Sequence, residues 1–96
     1  MTTRTTAYDV ADYLTSEARV AAYLELAIEE GDPKALAAAL GNVARAKGMT
    51  QLARASGLTR EALYRSLTPD GNPTLSTFTA VLDALGLKMR IDRKAV

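Results

Sequence analysis

The sequence predicts an all-α protein, a bundle of five helices with one short strand at its C-terminal end. Three observations carry that expectation. Apolar residues recur every three or four positions through most of the chain, the period of helices with one buried face. Cap-type residues precede these runs, and Gly31, Gly48, Gly57 and Gly86 follow them. Strict alternation of apolar and polar residues occurs at Leu87-Lys88-Met89-Arg90-Ile91-Asp92, the signature of a strand.

The elements follow in order. Thr15 or Ser16 caps a first long helix, with Glu17 in its opening turn against the positive end of the dipole. Val20, Tyr23, Leu24, Ala27 and Ile28 form its apolar stripe, and Gly31 ends it. Asp32-Pro33 is a strong start signal, an N-cap followed by proline at the first helical position. Leu36, Leu40 and Val43 line this second helix, and Arg45 and Lys47 occupy its last turn. Thr50 caps a third helix that stops at Gly57, and Thr59 caps a fourth running from about Arg60 to Leu67. The Thr68-Pro69-Asp70-Gly71-Asn72-Pro73 stretch breaks the chain. Thr74 then caps a fifth helix with the stripe Leu75, Phe78, Val81, Leu82 and Leu85.

Composition excludes much chemistry. At 96 residues the chain is long enough for one modest core and no more. There is no cysteine, so a disulfide frame, a thiolate metal site and a cysteine nucleophile are impossible. There is no histidine, which removes the usual general base and the commonest metal ligand. Ser56, Ser66 and Ser76 therefore lack an activating partner, and Glu29-Glu30-Asp32 is a solvated cluster at a helix end. The expectation is a protein that is not an enzyme and needs no cofactor or metal. Acids interrupt any candidate leader, and the apolar run Ala35–Leu40 is far too short to span a bilayer. A cytoplasmic location without membrane association is expected.

The net charge of +1 hides a strong segregation. Residues 1–32 carry seven acids against Arg4 and Arg19, a net of −5. Residues 33–66 carry Lys34, Arg45, Lys47, Arg54, Arg60 and Arg65 against Glu61 alone, a net of +5. The remainder is +1. Such asymmetry suits a basic face for an anion and an acidic face for something else.

The informative stretch is Gln51-Leu-Ala-Arg-Ala-Ser-Gly-Leu-Thr-Arg-Glu-Ala-Leu-Tyr-Arg65. Ala53 is small enough for two helix backbones to meet, and Gly57 can take the positive φ of a sharp turn. Leu52, Leu58 and Leu63 supply the inner packing. This is the spacing of a helix-turn-helix. At 100° per residue, Arg60, Tyr64, Glu61 and Arg65 fall within about 140° of arc on its second helix. A helix of that kind fits a major groove, where arginine pairs with guanine and Glu61 accepts from cytosine. Thr59, Arg60, Glu61, Tyr64 and Arg65 are the base-reading candidates; Lys47, Thr50, Gln51, Arg54, Asn72 and Thr74 are candidates for phosphate. The domain order expected is an acidic segment and helix over 1–31, a DNA-binding unit over 32–86, and a strand and tail over 87–96.

This stretch resembles the Cro/C1 type of helix-turn-helix repressor, a lambda repressor-like five-helix bundle, here with an N-terminal helical extension. More closely, Met49-Thr50-Gln51-Leu52-Ala53, Gly57 through Tyr64 and Leu67 through Pro73 look like the probable addiction-module antidote proteins, the HigA-like antitoxins. Asp32-Pro33 to Leu40-Gly41-Asn42 fits the same pattern, so the similarity extends over residues 8–92. Ser66 departs from the broader pattern, which has an apolar residue there; Leu67 takes its place. The resemblance implies an antitoxin of a type II toxin–antitoxin pair that binds a RelE/ParE-like toxin and represses its own operon. It implies a homodimer on a near-palindromic operator of double-stranded DNA. Toxins of that kind tend to be basic, which suits the acidic N-terminal third, where Tyr8 and Tyr13 are partner-binding candidates. Leu87, Met89 and Ile91 of the orphan strand are further candidates, pairing with a second copy or with a toxin sheet edge. The alternative is a protein-binding module that neutralises its partner without touching DNA.

Overall fold

The computed structural model describes residues 10–95, and Tyr8 lies outside them. The described chain is all-helical, with six helices: α1 (Val10–Tyr13), α2 (Glu17–Glu30), α3 (Pro33–Lys47), α4 (Met49–Ser56), α5 (Arg60–Ser66) and α6 (Leu75–Ala84). The caps explain most of the boundaries. Ser16 accepts a hydrogen bond from the Arg19 amide at 3.2 Å and opens α2. Asp32 Oδ1 accepts from the Lys34 amide at 3.0 Å, with Pro33 at the first position of α3. Gly31 closes α2 in the left-handed conformation.

The core is built around α3, which packs against α1, α2, α4 and α5, while α4 reaches α5 and α6. Small residues make this possible. Ala37, Ala39, Gly41 and Ala44 are all buried on α3, so neighbouring backbones approach it closely. Leu40, Leu52, Leu63 and Val81 are fully buried where these elements meet. Each such side chain contributes about 1.5–3 kcal/mol by leaving water. The C-terminal end of α5 lies against α3 so tightly that a Cβ on Gly41 would collide with the Leu67 carbonyl oxygen.

Four expectations are corrected. A short helix, α1, precedes the five expected ones; it delivers Val10 and the buried Leu14 to the core and packs on α3. Four residues are too few for a helical period to show in the sequence. Secondly, α4 begins at Met49, so Thr50 is not its cap; Gly48 closes α3 and opens α4, with no side-chain cap. Thirdly, Ile28 and Leu75 are not core residues but stand 53% and 79% exposed, because the apolar period continues past the neighbour that would cover it.

The fourth correction concerns Leu87–Asp92, which forms no strand among the described residues. Instead the α6 terminus closes on itself: the Leu87 amide donates to the Leu82 carbonyl and the Gly86 amide to the Asp83 carbonyl. This pairing caps the helix end and leaves Leu87 half-buried against the core. Beyond it, alternation alone cannot make a ladder, since the described residues include no second strand to supply hydrogen bonds. No described helix is long and apolar enough to cross a membrane.

The Gly41 contact generates a direct test. Gly41→Ala is expected to cost about 1–3 kcal/mol by overpacking against backbone. That is a fall in Tm of roughly 4–8 °C per kcal/mol for a domain of this size. Thermal melting followed by circular dichroism reads it, and an unchanged Tm would contradict the close approach of α3 to Leu67.

Candidate nucleic-acid interface

α4 and α5 are joined by a three-residue connection, Gly57-Leu58-Thr59. Gly57 has φ +78°, its amide donates to the Ala53 carbonyl at 3.0 Å, and a Cβ there would meet nothing within 4 Å. The demand at Gly57 is therefore for backbone conformation and not for space. Leu58 and Ala53 are half-buried against the core, and Leu52 and Leu63 are fully buried. Thr59 Oγ1 accepts from the Ala62 amide at 3.0 Å and starts α5. Glu61 in the first turn and Arg65 in the last both complement the helix dipole.

Ser66 and Leu67 divide the end of α5 between them. Ser66 Oγ donates back to the Ala62 carbonyl at 2.7 Å, satisfying its hydroxyl within the helix. Leu67 is the C-cap residue and is 2% exposed, so it fills the apolar inner position that Ser66 does not.

The outer face of α5 is open. Arg60, Glu61, Tyr64 and Arg65 are all exposed. The Arg60 guanidinium lies over the Tyr64 ring, 5.7 Å from its centroid, and Nη2 donates to the Tyr64 hydroxyl at 3.3 Å. This pair orders two long side chains on a solvent-facing surface before any partner arrives. Among the described residues neither Arg60, Arg65 nor Arg54 forms an ion pair; those present are Lys34–Asp70 and Arg90–Asp92. The charge of α5 is thus available to an external anion.

The remaining sequence candidates are distributed unevenly. Thr50, Gln51 and Arg54 are exposed on α4, where the first amides of the helix lack a side-chain cap. Thr74 is already engaged: its hydroxyl accepts from the Thr77 amide and donates to Thr77 Oγ1, each at 3.1 Å. Asn72 has φ +50° and lines a groove of about 500 Å³ with Pro33, Lys34, Leu36, Pro73 and Leu75. Lys47 lines a separate cleft with Leu14, Glu17, Val20 and Leu85, none of them a residue of α5. Tyr13 is 44% exposed with the Arg19 guanidinium 5.4 Å from its ring centroid.

One network was invisible in the sequence. Asn42 Nδ2 donates to the Tyr23 hydroxyl at 2.9 Å, and Arg45 Nη2 donates to Asn42 Oδ1 at 2.7 Å. It ties α2 to α3 and commits Arg45 to the fold. Its members lie up to 22 positions apart, beyond the reach of any local pattern.

Fold and surface together define a small protein, all-helical over its described residues, whose glycine-turned helix pair presents an uncovered arginine–tyrosine face. The chain belongs to the probable addiction module antidote proteins: the model of that family matches residues 4–93. An uncharacterized protein of Haemophilus influenzae is 40% identical over 93 residues, covering 97% of this chain and 96% of that one. No solved structure matches the chain.

The turn makes its own prediction. Gly57→Ala is expected to cost about 1–2 kcal/mol, the penalty of a left-handed backbone with a Cβ, and Gly57→Val more because of β-branching. Gly57→Asn is expected to be tolerated best, since asparagine enters this region readily. Urea denaturation ranks the three; valine no worse than asparagine would contradict the geometry assigned to Gly57.

Proposed function

We propose that this protein is the antidote of a toxin–antidote pair, and that it also binds double-stranded DNA sequence-specifically to repress its own operon. Membership of the antidote family supports the first part. The second rests on one observation: Arg60, Tyr64, Glu61 and Arg65 share the exposed side of a helix whose opposite side, through Leu63, is locked in the core. Protein binding alone does not require two arginines, neither in an ion pair, aimed outward from a short helix-turn-helix of the Cro/C1 type. In this reading α5 enters the major groove, with Arg65 and the Arg60–Tyr64 pair meeting base edges. The α4 amides and Arg54 hold phosphates.

The protein acts as a homodimer on a near-palindromic operator, placing two copies of α5 about 34 Å apart in successive grooves. The toxin is a basic protein of the RelE/ParE-like, HigA-partner kind, and it meets the acidic side of the molecule. α2 supports this, since Glu25, Glu29 and Glu30 are exposed beside the exposed Leu26 and Ile28. Charged groups of opposite sign speed encounter, and apolar ones hold the complex. Both roles are binding roles in the cytoplasm and need neither cofactor nor catalytic residue.

A gel shift with the DNA just upstream of the coding region tests the nucleic-acid role. Arg65→Ala is expected to lose about 1–3 kcal/mol on the operator and little on random DNA, because a base contact carries sequence information. Arg54→Ala is expected to weaken both equally, as a phosphate contact does. Absence of any shift by the wild-type protein, with toxin neutralisation intact, would leave the purely protein-binding module as the correct description.

A further inference from the structure

The chain after α5 folds back onto the end of that helix. Thr68-Pro69-Asp70-Gly71 is a tight turn, closed by the Gly71 amide donating to the Thr68 carbonyl at 2.9 Å. Proline at its second position and glycine at its fourth suit a type I turn. Gly71 is half-buried and has no positive φ, so its demand is for space. A Cβ there would stand 2.6 Å from the Arg65 carbonyl oxygen and would collide with that of Ser66. The next carbonyl, that of Leu67, rests on Gly41 of α3. The last carbonyls of α5 and its cap are therefore seated between two positions that carry no side chain. Asp70 meets Lys34 Nζ at 3.7 Å, and Lys34 precedes Gly41 by seven residues, two turns along the same side of α3. One helix thus meets both the turn and the end of α5.

We infer that Gly71 is a positioning residue for sequence reading: the turn it closes sets the tilt of α5 and with it the approach of Arg65 to a base, a role that rests on the DNA-binding reading given above. The two arginines of α5 are held from opposite ends. Arg60 follows the Thr59 cap and the Gly57 turn. Arg65 belongs to the far end, where its own carbonyl faces Gly71 while its side chain is exposed. Ordinary contact between heavy atoms is about 3.5 Å, so a methyl group at Gly71 forces a movement of roughly 1 Å. The turn resists it, since its own hydrogen bond closes it and Pro69 and Pro73 fix the backbone on either side of Gly71. The displacement passes to the last turn of α5. A paired arginine–guanine contact tolerates little of it, because hydrogen bonds weaken steeply off their preferred distance and angle.

Were Gly71 needed for stability alone, Gly71→Ala would lower the folded fraction and weaken binding to operator and random DNA by the same factor. A displaced Arg65 weakens the operator complex selectively, because non-specific affinity comes from phosphate contacts. It also makes the Arg65 side chain redundant. Removing a group that no longer reaches its base costs little, whereas Arg60 keeps its full value.

Gel shifts of Gly71→Ala on the upstream DNA and on random DNA, at a temperature where circular dichroism shows the variant folded, read the difference. Affinity for the upstream DNA is expected to fall about tenfold or more, and for random DNA less than about twofold. Adding Arg65→Ala to Gly71→Ala is expected to cost less than about threefold further, against roughly 5- to 150-fold in the wild-type background. Arg60→Ala is expected to cost the same in both backgrounds. Equal losses on the two DNAs, or a loss from Arg65→Ala undiminished by Gly71→Ala, overturns the inference. So does a folded Gly71→Ala that binds the upstream DNA like the wild type. Should Gly71→Ala not fold, Pro69→Gly loosens the same turn without adding bulk. A fall of about threefold or more on the upstream DNA alone then supports the positioning role, and unchanged affinity overturns it. A wild-type protein with no preference for the upstream DNA rejects the DNA reading and this role with it, whereas a specific wild type with Gly71 uncoupled from Arg65 rejects this role alone.

Discussion

The placement of α5 depends on one close contact, the seating of the Leu67 carbonyl against the bare backbone of Gly41. A seven-residue helix has too few internal hydrogen bonds to persist alone in water. Its persistence comes from both ends being held. At the start, Thr59 satisfies an otherwise orphaned amide and Gly57 turns the chain without a Cβ penalty. At the finish, Leu67 inserts into the core and its backbone rests on α3. Leu63 between them removes the remaining rotational freedom. The helix is thus rigid on its inner side for reasons that leave its outer side unconstrained, and the outer side carries the arginines.

That division explains what could be read from the sequence. Caps and stops act through hydrogen bonds within a few residues, so Ser16, Asp32-Pro33, Thr59 and Thr74 mark helix starts in the sequence as they do in the structure. The outward arc of α5 is equally local, since helical geometry fixes which residues share a side. What escaped detection is tertiary. The need for glycine at position 41 is set by Leu67, and Tyr23 finds its partner at Asn42. Leu75 fits the periodic stripe of α6, but no neighbour covers the first turn. The start of α4 lies two residues before the one that a cap at Thr50 would give, because Gly48 serves two helices at once, a role that composition does not announce.

The expected strand fails for a different reason. A helix supplies its own hydrogen-bond partners, whereas a strand borrows them from another segment. Alternation over Leu87–Asp92 is real in the side chains, but backbone pairing is a property of two chains and not of one. The pattern therefore specifies a capacity that the isolated fold leaves unused.

The separation of charge has a structural counterpart in α3. The acidic α2 and the basic α5 both pack on this helix, and its buried side is built from alanines, a glycine, Leu40 and Val43 that carry no charge. No ionisable side chain is buried among the described residues, so the opposing surfaces are not connected through a polar core. The Tyr23–Asn42–Arg45 chain is the exception in kind: it runs from α2 across α3 by hydrogen bonds of 2.9 and 2.7 Å. Most of the mechanical coupling between α2 and α5 must then pass through packing. Close-packed apolar contacts have low compressibility and transmit strain, so a displacement imposed on α2 reaches α5 through the packed side of α3.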